Sequence, residues 1–96
     1  MALDFFIIPN DGAPPISVEE IRDRFLSSNL ECSIEAQDGP WIVFEGHKSA
    51  LVFTVDPEGR ATSAVFQAVM ADNVEFYGIV FGVFSNFDWS YVEDTF

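Results

Sequence analysis

Alternation of apolar and polar residues is strictest between Leu30 and Gln37. Leu30, Cys32, Ile34 and Ala36 fall on one side, and Glu31, Ser33, Glu35 and Gln37 on the other. A period of two with one polar face is the pattern of a half-buried antiparallel strand. Asp38-Gly39-Pro40 turns the chain into a second strand, Trp41 to Glu45, and Gly46-His47-Lys48 makes a tight connection to a third, Leu51 to Val55. Asp56-Pro57-Glu58-Gly59 then places Asp at i, Pro at i+1 and Gly at i+3, the preference of a type I turn. Short loops between antiparallel strands make a meander. An earlier apolar run, Leu3 to Ile8, reads as a further strand ended by the turn residues Pro9-Asn10-Asp11-Gly12.

The period changes at Ser17. Ser17-Val18-Glu19-Glu20 fits a capping box, with Ser17 as N-cap and Glu20 at N3. Ile16 and Ile21 stand where a hydrophobic staple would put them, and Val18, Ile21 and Phe25 mark one apolar face. Glu19, Glu20 and Asp23 sit where the helix dipole favours negative charge. A helix from Val18 to about Ser28 follows, with Asn29 as its C-cap residue.

Beyond Gly59 the pattern is mixed. Residues 61–71 read as a strand that completes the hairpin begun at Asp56. A helix there would instead give the β-α-β-β-α-β order of a ferredoxin-like fold. Val74 to Phe84 is aromatic and β-branched and reads as a long buried strand, with Gly78 and Gly82 as bulges or points of close backbone approach. The expected fold is therefore α+β in a single domain spanning 1–96: one amphipathic helix packed on an antiparallel sheet of about five or six strands. The alternative is the ferredoxin-like order with a second helix at 61–71.

Charge changes this picture most. Sixteen acids face four bases, a formal net charge of -12, while 49% of residues are apolar and 16% aromatic. So many apolar residues exclude a disordered acidic tail. One Cys excludes a disulfide scaffold and a four-thiolate zinc site. No apolar run reaches the roughly 18 residues of a membrane span. The start Met1-Ala2-Leu3-Asp4 lacks a basic region of the signal-peptide kind, so a cytoplasmic location is expected. Four bases cannot neutralise a phosphate backbone, which argues against direct nucleic-acid binding. A basic partner is the natural opposite, drawn in by electrostatic steering. Duplex DNA carries roughly 18 phosphates over ~30 Å of axis, within a factor of two of this charge, so imitation of DNA is a related possibility.

Candidate chemistry is sparse. Cys32 lies on the apolar side of its strand and His47 in a Gly-His-Lys turn that reads as a solvent-exposed loop, a poor nucleophile–base pair without an orienting third group. The chain has no G-x-S-x-G elbow, no phosphate-binding glycine loop, and no calcium-loop order around Asp72-Asn73-Val74-Glu75. Glu31 and Glu35 stand roughly 13 Å apart along a strand, too far for a glycosidase acid/base pair on one strand. No catalytic, cofactor-binding or metal residues are expected, and the protein reads as a non-enzyme.

Two surfaces suit contact with a partner instead. In the C-terminal segment, if extended, Phe87, Trp89 and Tyr91 fall on one side and Asp88 and Asp94 on the other; Asp88, Trp89, Tyr91, Glu93 and Asp94 combine aromatic anchors with charge, or else the aromatics tuck into the core. The second surface would join Glu19 and Asp23 on the helix to Glu31 and Glu35 on the strand after it. The function expected is inhibition or neutralisation of a basic protein by occlusion, as immunity and antitoxin proteins do. Alternatives are a DNA mimic that blocks a nucleic-acid-handling complex, such as a phage-encoded anti-defence protein, and a self-associating structural protein. The protein would be a monomer or a homodimer.

Overall fold

The computed structural model describes residues 2–36, 39–69, 72 and 74–93. The elements run β1 (Ala2–Pro9), α1 (Val18–Ser27), β2 (Cys32–Glu35), β3 (Trp41–Phe44), β4 (Ala50–Val55), β5 (Ala61–Val69), α2 (Val74–Asn86) and β6 (Trp89–Glu93). The six strands form one antiparallel sheet in the order β2-β3-β4-β5-β1-β6. Two helices on a six-stranded open sheet make an α+β fold. Among the described residues no helix is long and apolar enough to cross a membrane.

α1 starts as its capping residues dictate. The Ser17 hydroxyl accepts the Glu20 N–H at 3.1 Å, satisfying one of the free donors of the first turn. Val18, Ile21 and Phe25 are its buried face. Ser28 is the C-cap, and Asn29 is the next residue, in the left-handed region at φ 65°. The meander from β2 to β5 forms through short turns. In the last of them Asp56 takes the N–H groups of Glu58 and Arg60 on its carboxylate. Residues 61–69 are strand β5, so the second helix of the ferredoxin-like alternative is not at 61–71.

The second helix is the stretch expected to be a long strand. Within α2 the buried residues are Phe76, Val80, Val83 and Phe84, spaced i, i+4, i+7 and i+8. Gly78 and Gly82 lie exposed on the outer side, where a Cβ would meet no neighbouring atom within 4 Å. The aromatic and β-branched composition suggests a strand, but the spacing of the large residues is helical. Packing against the sheet decides in favour of the spacing.

Both helices cover the same face of the sheet. Phe25 packs edge-on against Phe44, Phe76 against Phe66, and Phe81 against Phe5, while Phe84 meets Phe53. Ile7, Ile42, Leu51 and Phe66 beneath them are fully buried. On the opposite, uncovered face the register aligns one residue from every strand in a row: Glu35, Trp41, Val52, Val65, Phe6 and Val92.

Candidate functional site

The acids that the sequence assigns to a partner surface separate into two groups. β2 and β6 are opposite edges of the sheet, five strand spacings or about 24 Å apart. The C-terminal strand therefore does not extend the β2 edge. Trp89 is 4% exposed and packs against Phe84, so it belongs to the core rather than to a contact surface, the place the sequence left open to it. Its indole Nε1 has no hydrogen-bond partner among the described residues. Tyr91 stacks on Phe81 and leans edge-on against Phe5, yet remains 52% exposed. Asp88, at φ 64°, accepts a hydrogen bond from the Asn10 side-chain amide at 2.9 Å, and its carbonyl accepts the Asn10 N–H. That carboxylate fastens the turn before β6 to the end of β1. Glu93 lies in β6 opposite Phe5, and Asp94 lies outside the described residues.

At the other edge α1 packs beside β2, and there acids converge. The carbonyl of Glu31 accepts the Glu45 N–H at 2.9 Å, which sets these two exposed acidic residues opposite each other just beyond the β2–β3 ladder. Between them and the helix sits Cys32, whose thiol donates to the Arg22 carbonyl at 3.8 Å. Burial raises the Cys32 thiol above its usual value; Arg22 pulls it down, and Glu31 and Asp23 push it further up. Acids from the helix and from the strand thus act on the same thiol, the adjacency proposed from sequence for Asp23 and Glu31. The residues Glu31, Cys32, Ser33, Val43, Phe44 and Glu45 line a depression of about 310 Å³. Glu35 stands at the far end of β2, on the same uncovered face as Glu31 and Glu45, and Glu19 is exposed in the first turn of α1.

A second groove, about 290 Å³, runs between Glu20, Asp23, Arg24 and Ser27 of α1 and Phe87. The Arg24 guanidinium lies 5.4 Å from the centre of the Phe87 ring. Arg22 pairs with Asp23 at 3.0 Å, and Arg60 pairs with Asp56 and Glu58 at 2.9 Å each. Among the described residues neither Glu31 nor Glu45 has an ion-pair partner. Glu45 was not among the acids singled out from sequence. Its signal is the register of β2 against β3, which sequence spacing alone does not set.

A polar cluster lies on the helix side of the meander, and it corrects the reading of His47 as a solvent-exposed loop residue. The imidazole stacks on Phe76 with centroids 3.9 Å apart, and its Nδ1 lies 3.1 Å from the Asp72 carboxylate. A carboxylate oxygen can only accept, so Nδ1–H donates. The other Asp72 oxygen takes the Ser49 N–H at 2.9 Å and the Ser49 hydroxyl at 2.5 Å. Burial works against the charge on Asp72, but hydrogen bonds from Ser49, His47 and the Lys48 backbone outweigh it and hold the carboxyl below its usual value. Histidine, acid and serine are present, yet the order is wrong for nucleophilic catalysis. The carboxylate lies between the other two, and the Ser49 hydroxyl is saturated, because it also accepts the Val69 N–H at 2.8 Å. The cluster satisfies buried polar groups where the 45–49 turn meets the start of α2.

Among the described residues no group of three or more His, Cys, Asp or Glu side chains could hold a metal ion. Comparison with known protein families, with curated proteins and with solved structures finds no match to this chain.

Proposed function

We propose that this is a non-enzymatic binding protein that neutralises a basic protein partner by covering it with the acidic corner where α1 meets β2. The observation that carries the proposal is the facing pair Glu31 and Glu45. Like charges directly opposite each other across strands disfavour the fold. A lysine or arginine from a partner turns that cost into attraction, and the long-range field raises the rate of encounter. The depression between the two acids gives a cationic side chain a place to enter. The task suits occlusion of a toxin-like or nuclease-like protein in the cytoplasm, where a single unpaired cysteine is at home.

The test is capture from nuclease-treated lysate of the source cell or its natural target, with the tagged protein and with its Asp23→Lys/Glu31→Lys variant. A basic protein retained by the parent at low salt, released at high salt and not retained by the variant is the expected result. Equal retention by both would place the contact elsewhere. A nucleic-acid-handling complex displaced by added DNA would identify the protein as a DNA mimic.

A further inference from the structure

The sheet edge beside the acidic corner carries a row of outward backbone groups. β2 is an edge strand, and its ladder is with β3 alone. The Glu31 carbonyl accepts the Glu45 N–H, so in this antiparallel register Glu31, Ser33 and Glu35 turn their backbone groups toward β3. Cys32 and Ile34 alternate with them and turn theirs outward. The strand Cys32–Glu35 contains no Pro, no Lys and no bulge, devices that keep an edge from pairing. We propose that this edge takes an extended basic segment of the partner as an added strand, antiparallel to β2 like every other pair in the sheet. The proposal rests on the reading of the protein as a binder of a basic partner, and it specifies how that partner is held.

Side chains select the occupant. Ser33 and Glu35 are exposed on the uncovered face together with Glu31, whereas Cys32 and Ile34 are half-buried on the helix side. An added strand keeps the same alternation. Its residues on the uncovered side stand about 5 Å from Glu31 and Glu35, Cβ to Cβ, where a lysine or arginine makes a cross-strand ion pair. Its residues on the helix side meet Cys32, Ile34 and the rim of α1. Arg22 marks that rim, since its carbonyl accepts the Cys32 thiol. Leu26, one turn further along the same side of α1, is 41% exposed and extends the rim as apolar surface. The segment that fits therefore alternates basic with apolar residues.

The same edge rejects a second copy of this chain. Pairing two β2 edges through Cys32 and Ile34 would set Glu31 opposite Glu35 at both ends of the ladder, and like charges directly opposite each other are destabilising. Charge thus closes the edge to itself while leaving it open to a strand of opposite sign.

Three terminally blocked peptides of alternating lysine and valine test the proposal by isothermal titration calorimetry at low salt. One is unmodified, one is N-methylated at every valine and one at every lysine, so all three carry the same charge. In an antiparallel added strand the valine N–H groups bond to β2 and the lysine N–H groups point to solvent. The expected result is binding by the unmodified and N-methyllysine peptides, and at least tenfold weaker binding by the N-methylvaline peptide. Saturation with the unmodified peptide should also slow amide hydrogen exchange at Cys32 and Ile34 at least tenfold. No binding by the unmodified peptide, equal affinity for all three, or unchanged exchange at both amides would overturn the added strand. Failure of the broader reading shows separately, as equal capture of the basic partner by the parent and by Asp23→Lys/Glu31→Lys.

Discussion

Asp72 shows how much a single carboxylate can hold together. Its two oxygens serve His47 and Ser49, and Ser49 in turn serves the Val69 amide, so one side chain joins the 45–49 turn to the end of β5 and the approach to α2. Asp72→Asn puts an amide donor among donors and should cost about 1–3 kcal/mol, measured by urea unfolding. The pH dependence has a definite sign. Because the folded carboxyl titrates below its usual value, it stabilises the fold above the unfolded value near ~3.9, and this contribution is lost as pH falls through the lower folded value. The variant should therefore lose less stability than the parent across that acid range. A parallel decline in both would show that Asp72 is not the group responsible. None of this was legible in the sequence. His47 sits in a turn that looks solvent-exposed, and its partner lies 25 residues away. Trp89 was legible only as a choice between surface and core, since one aromatic face suits both.

Elements whose signals are local were readable in advance. The Ser17 cap, the apolar face of α1 and the Asp56 turn each depend on residues within a few positions of one another, and the alternation from Leu30 fixes which side of β2 faces the helices. α2 was not readable, because its composition and its spacing disagree. Val, Ile and Phe favour a strand, whereas Phe76, Val80, Val83 and Phe84 recur at helical intervals, a pattern whose weight appears only when a sheet lies beneath it. The two exposed glycines provide the check. Neither has a positive φ, and a methyl group at either position meets no neighbouring atom within 4 Å. Gly78→Ala and Gly82→Ala should each stabilise the protein by up to about 0.8–1 kcal/mol, the difference in helix propensity. Thermal and denaturant melts measure it. Destabilisation by both would mean that the segment is not a helix with this face outward.

Across the whole molecule the division is between a helix-covered side and an uncovered sheet face whose apolar centre is bordered by Glu31, Glu35 and Glu45 at its β2–β3 end. The sequence shows the amount of charge but not its placement, because placement depends on strand order. β6, last in sequence, lies beside β1 and far from β2, so the two groups of acids read from the sequence end up at opposite edges. Glu45→Lys separates stability from function at the acidic corner. Facing Glu31, the new lysine makes an opposite-charge pair and should leave the fold as stable or more stable by a few tenths of a kcal/mol, about the worth of an exposed pair. Binding to a basic partner should weaken at the same time. A variant that lost stability would contradict the like-charge reading of this pair.

The most direct measurement is the association rate of the captured basic partner with the parent protein and with Asp23→Lys/Glu31→Lys, followed by stopped-flow fluorescence over a range of ionic strength. If the acidic corner steers and seats the partner, the parent's rate falls steeply as salt rises. The variant should associate more slowly at low salt, with a much flatter dependence. Equal rates for the two proteins, or a parent rate that does not change with salt, would contradict the account.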